Sequence, residues 1–179
     1  MRFLVVILLW ALTVPVRADV GIGAVVGNED ESILFPIRLS SVIIEPYFGY
    51  RESDVEFQPN TSAEHLEIGV GVFGLSMRGE NVSIYYGARL ADVSQETSTT
   101  LVDPITGLPI TALRAEIDGY RIAPTVGFQY TISRVAVGAE IGWAYEEVDQ
   151  TVGSFAGIPA ERTTVSKGTQ ANVVFRFFF

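Results

Sequence analysis

Apolar residues return at every second position in eight separate segments of this chain, and no other feature narrows the available folds as much. A period of two belongs to a β-strand, because successive side chains of an extended backbone point to opposite sides. The terminal run NVVFRFFF, residues 172 to 179, is the clearest case. Val173, Phe175, Phe177 and Phe179 share one face, and Asn172, Val174, Arg176 and Phe178 share the other. The remaining segments are VGIGAVVG, ILFPIRL, IIEPYFGYR, HLEIGVGVFG, VSIYYGARL, YRIAPTVGFQY and VAVGAEIGWAY. Most of them oppose an apolar stripe to glycines and charges. Tight connections at 40–41, 79–81 and 133–134 alternate with longer ones at 28–31, 58–63, 98–111 and 153–164. That is the layout of an up-and-down antiparallel meander, whose even strand number lets the first and last strands pair. Pro36, Pro46 and Pro124 fall inside strand patterns, where each removes a ladder donor. Bulges or locally broken pairing are expected there.

Which face meets water decides what such a barrel is. The residues opposite the apolar stripes include Arg38, Glu45, Glu67, Arg89, Arg121, Glu140 and Arg176. Arginine supplies every cation but one, Lys167, and arginine is the cation suited to buried, paired networks. Glycine crowds the charged face, as a narrow lumen requires. Tyr50, Tyr120, Trp143 and Tyr145 fall toward the long-loop ends of their strands, and Phe128, Tyr130, Phe177 and Phe179 toward the short-turn ends. Two aromatic belts flanking an aliphatic middle are what two membrane interfaces select. These features favour lipid outside and charge inside.

The N-terminus agrees with export. Arg2, an apolar run from Phe3 to Val14 and the small-residue site Val16-Arg17-Ala18 have the form of a secretory signal peptide. The run is too short to span a bilayer as a helix. The expected division is therefore a signal peptide at 1–18, cleaved after Ala18, and a barrel domain at 19–179. The chain has no cysteine, so no disulfide framework holds the exported form. Its formal charge of −9 becomes more negative when Arg2 and Arg17 are removed, which argues against nucleic acid as a partner. Yet the chain is 48% hydrophobic and 11% aromatic, and that apolar content is dispersed in alternation.

Taken together, the signal-like leader, eight alternating strands, long loops on one side and a terminal Phe179 resemble the small OmpA/OmpX-type and opacity-type outer-membrane barrels. The resemblance covers residues 19 to 179 and rests on pattern, without a motif diagnostic of one subfamily. It implies an eight-stranded antiparallel transmembrane β-barrel in the bacterial outer membrane. It further implies that Phe175, Phe177 and Phe179 form the aromatic signal read by the barrel-assembly machinery.

Signs of other chemistry are thin. GVGVFG, with Gly69, Gly71 and Gly74, matches a dinucleotide fingerprint literally, but that motif needs a following helix and here another strand follows. His65 is the only histidine, and its neighbours Ser62, Glu64 and Glu67 share its strand, so they do not converge as a triad must. A conventional zinc site has no ligand set, and no cofactor and no enzymatic activity are expected.

Carboxylates concentrate at the long-loop end. Glu29, Asp30 and Glu31, with Glu146, Glu147 and Asp149, form either a solvated rim or a candidate site for divalent cations bridging to lipopolysaccharide phosphates. Inside, Glu45 and Glu140 are expected to pair with arginines drawn from Arg38, Arg89, Arg121 and Arg176. The function expected is structural or surface-interacting, by a monomer in contact with outer-membrane lipid and lipopolysaccharide. A narrow porin-like channel is the alternative, and a lipid-modifying enzyme a more distant one.

Overall fold

The structure is a computed structural model that describes residues 18–27, 31–54, 61–102, 109–152 and 160–179. The signal-peptide region through residue 17 and the rim residues Glu29 and Asp30 lie outside the described residues. The elements are β1 (Asp19–Gly27), β2 (Glu31–Leu34), β3 (Ile37–Arg38), β4 (Val42–Asp54), β5 (Thr61–Arg78), β6 (Val82–Val102), β7 (Pro109–Ile132), β8 (Val135–Val152) and β9 (Ala160–Phe178). Every neighbouring pair is antiparallel, and β1 pairs with β9 from Gly21↔Phe178 to Gly27↔Asn172, closing the sheet. β2 and β3 are the halves of one interrupted strand. Both lie between β1 and β4, and the chain is a closed eight-stranded barrel.

The prolines break pairing without inserting a bulge. Between the rungs Leu34↔Tyr47 and Ile37↔Ile44 the ladder stops, and the register resumes unshifted beyond. Pro36 and Pro46 both fall in that gap, so two missing donors share one interruption. Its edges are held by Phe35 N donating to Pro46 O at 2.8 Å and Gly21 N donating to Pro36 O at 2.9 Å. Around Pro124 the β7–β8 ladder skips from Ile122↔Tyr145 to Thr125↔Gly142, again in register. The two register shifts that do occur among the described residues lie elsewhere, between Leu75 and Met77 and between Leu101 and Val102.

Tight turns close one end of the barrel. Leu39 N bonds Val42 O at 2.8 Å, Gly79 N bonds Val82 O at 2.7 Å, and Ser133 takes a φ of 56° in the third turn. At the opposite end the strands run further than their apolar alternation. The stretches 98–111, 58–63 and 153–164 read as loops in the sequence, but residues 98–102, 109–111, 61–63 and 160–164 are strand. β6 and β7 pair rung by rung from Val82↔Tyr130 to Leu101↔Thr111. These stretches lack a period of two in the sequence, so only β-favouring residues such as Thr97, Thr99 and Thr100 mark them.

The barrel is inverted relative to a soluble one. Ile22, Val126, Phe128, Ile141 and Phe175 are about half exposed on the outside, whereas Glu45 is 0%, Arg176 2% and Glu140 4% exposed inside. Three buried aromatics of the lumen each face a glycine on the next strand: Tyr47↔Gly69, Phe73↔Gly87 and Tyr85↔Gly127. At Gly69 and Gly127 a methyl group would come within 2.5 and 2.6 Å of the tyrosine ring, so the glycines are the space the rings occupy.

Candidate functional site

Alternation along β4, β6, β8 and β9 sends Glu45, Arg89, Glu140 and Arg176 inward from four different staves. They meet as one cluster. Arg89 Nη2 donates to Glu45 Oε1 at 2.8 Å, and its Nη1 donates to Glu140 Oε2. Arg176 Nε donates to Glu45 Oε2 at 2.5 Å, and Nη2 reaches Glu140 Oε1 at 3.2 Å. Each guanidinium therefore bridges both carboxylates, and the cluster is neutral. Aromatic rings complete it. Tyr85 donates its hydroxyl to Glu140 at 2.8 Å, Arg176 sits 5.1 Å over the Tyr85 ring, and Arg89 sits 5.0 Å over Phe73. Gln129 Oε1 accepts from Arg176 Nη1 at 2.9 Å. A buried charge costs several kcal/mol unless it is paired and hydrogen-bonded, so the four charges must come as a set.

A second layer lies toward the long-loop end. Tyr47 donates to Glu67 Oε1 at 2.7 Å, and Arg121 donates to Glu67 Oε2 at 3.4 Å and to Gln170 Oε1 at 2.8 Å. Its ion pair, Arg121 with Glu67, joins opposite charges. Arg38 joins neither. It pairs with Asp19 at 2.7 Å at the short-turn mouth and lies 4.3 Å over the Phe178 ring, so the pairing expected of it with Glu45 or Glu140 does not form. Glu45 and Glu140 sit one layer away from it, on partners closer in register. Arg121 likewise pairs with Glu67 rather than with either of those carboxylates. Asp19, Tyr47, Tyr85, Gln129 and Gln170 complete the arrangement. Their inward parity was readable in the sequence, but their partners depend on shear between strands, which it does not display.

Below the first cluster a cavity of about 240 Å³ opens at the short-turn end, lined by Arg38, Glu80, Asn81, Ser83, Gln129 and Thr131 among others. Between the two layers a cavity of about 20 Å³ touches Arg89, Arg121, Glu67 and Asn172.

Phe175, Phe177 and Phe179 point outward, with Phe177 and Phe179 edge to face at 5.5 Å, while Phe178 turns into the lumen. The rim carboxylates are divided between faces. Glu146 has inward parity. Glu147 lies outside, where its Oε2 accepts from Tyr120 at 2.9 Å and from Tyr145 at 2.7 Å. Asp149 Oδ1 accepts from Thr163 at 2.7 Å, and Glu31 stands exposed on β2. Among the described residues no three carboxylate, histidine or cysteine groups are placed to hold a metal ion. His65 stays on β5, opposite Gln95 and Arg51. Gly69 and Gly71 lie in the same strand, which runs on to Arg78 with no helix at the glycines.

No protein-family model matches this chain, and no curated protein matches it. Solved structures do. The crystal structure of a major outer membrane protein from Thermus thermophilus aligns with a TM-score of 0.55 and 12% identity, covering 90% of this chain and 100% of that one. CarO of Acinetobacter baumannii aligns with a TM-score of 0.38 and 13% identity, over 90% of this chain and 98% of that one. The Thermus likeness is one of fold: both chains are built as the same kind of barrel.

Proposed function

We propose that this protein is an integral β-barrel of the bacterial outer membrane, of the small OmpA/OmpX type, with a structural or surface-interaction role and a plugged lumen. The observation that carries the reading is the inverted polarity: an apolar exterior around buried, paired charge. A soluble protein does not keep an exposed apolar belt of that extent. On β8 the outward apolar positions run from Val135 to Trp143, close to the roughly 9–11 residues a tilted strand needs to cross a bilayer. The 24-residue β7 and 21-residue β6 are about twice that, which leaves a polar sheet standing beyond the band. There, among the described residues, the ladder of β1 with β9 runs as far as Gly27↔Asn172, and β8 and β9 stay paired on to Val152↔Ala160. A sheet held outside a membrane is a natural place for surface contact.

The plug argues against the channel alternative. The protein acts as a monomer, is exported through the Sec pathway, presents Phe175, Phe177 and Phe179 to the barrel-assembly machinery, and contacts lipopolysaccharide at its rim. Fractionation with heat-modifiability on unboiled gels tests the location. A membrane-bound band whose mobility changes on boiling is the outcome expected, and release into the soluble periplasmic fraction would sink the reading. Planar-bilayer recordings test the plug, and a stable large conductance would revive the channel.

A further inference from the structure

We propose that one water molecule is bound inside the barrel between the two charged layers, accepting from Arg89 Nε–H and donating to Asn172 Oδ1. Among the described residues, those two atoms are the buried side-chain polar atoms without a hydrogen-bond partner. Their residues are 6% and 7% exposed. Both side chains line the cavity of about 20 Å³, whose wall also includes Tyr47, Glu67, Arg121 and Gln170. A buried water requires about 10–15 Å³ of such space and two to four polar partners.

The chemistry selects the ligand. One orphan is a donor and the other an acceptor, so the guest must accept and donate together. A metal cation accepts nothing and a halide donates nothing. Either would also add a charge beside the cluster of Glu45, Glu140, Arg89 and Arg176, whose charges already balance. A neutral molecule with both functions satisfies the site, and the space admits one the size of water. The amide is held in place from the seam side. Gly27 pairs with Asn172, and a methyl group at Gly27 would collide with the Asn172 oxygen. The water therefore links the lower layer, through Arg89, to the seam strand β9.

Diffraction from the intact folded protein, at a resolution that shows ordered solvent, tests this. One density peak about 2.7–3.2 Å from both Arg89 Nε and Asn172 Oδ1 is expected, with no anomalous signal there after a bromide soak. An empty cavity, or a bromide peak in it, overturns the proposal. Asn172→Leu keeps comparable bulk without the acceptor. It is expected to lose both the density and the long-lived water cross-peak seen by NMR, while the barrel stays heat-modifiable. Persistence of the water in Asn172→Leu also overturns the assignment. Should that variant not fold, the density in the unmodified protein decides alone.

Discussion

The barrel has two regions built on one continuous set of ladders. In the lower half, apolar side chains stand outside and the inward charges are paired, from Glu45 with Arg89 and Arg176 to Glu67 with Arg121. In the upper half the same strands carry polar residues on both faces, and their side-chain bonds are exposed, as between Thr163 and Asp149 or Tyr120 and Glu147. Backbone pairing of β6 with β7 and of β8 with β9 continues from one half into the other, and what differs is the solvent. Away from bulk water, a buried carboxylate in the lower half depends on its protein partners. In the upper half water replaces any partner that is lost. The cost of a change should thus depend on height along the barrel more than on residue type.

The largest contrast is among carboxylates. Glu45→Ala leaves both Arg89 and Arg176 short of a partner, and should destabilise the folded barrel by about 3–5 kcal/mol, read from urea unfolding in lipid vesicles. Glu147→Ala, in the upper half, should stay within about 0.5 kcal/mol. Equal losses at the two positions would erase the distinction. Next comes the outer face. Ile141→Arg falls in the middle of the apolar band and should cost about 2–4 kcal/mol, whereas Val165→Arg in the upper half of β9 should cost about 0–1 kcal/mol. Both residues are exposed to a similar degree, 58% and 49%, so exposure alone does not predict the difference and lipid does. The smallest effect is expected at the mouth. Arg38→Ala removes the Asp19 pair and the Phe178 contact where Asp19 is 44% exposed, and should cost no more than about 1 kcal/mol in the same assay.

The same divide governed what could be read from sequence. The lower half announces itself, because a strand between lipid and a polar lumen must alternate: Val82, Ile84, Tyr86 and Leu90 against Ser83, Tyr85 and Arg89 are legible at sight. Strand number, closure and the inward parity of Glu45, Glu140 and the arginines followed from it. At 98–102 and 109–111 the strands are not legible, since those residues carry no period of two. Pairing inside the lumen was only half legible. Parity gave the members, but Arg38 went to Asp19 and Arg121 to Glu67, because the stagger between strands sets which inward residues share a height. The rim is only partly described, since Glu29 and Asp30 lie outside the described residues. Glu146 and Glu147 are adjacent in sequence and therefore on opposite faces of β8.

Trp143 offers the most direct measurement of the central claim that the outer face meets lipid. Apart from Trp10 it is the only tryptophan, and it stands 46% exposed on the outside at the upper limit of the apolar band. Its fluorescence in vesicles of brominated lipids should be quenched most by bromines placed near the headgroup, less by those near the bilayer centre, and not by a water-soluble quencher enclosed with the vesicles on the short-turn side. Fluorescence unaffected by bromine at any depth would contradict the account.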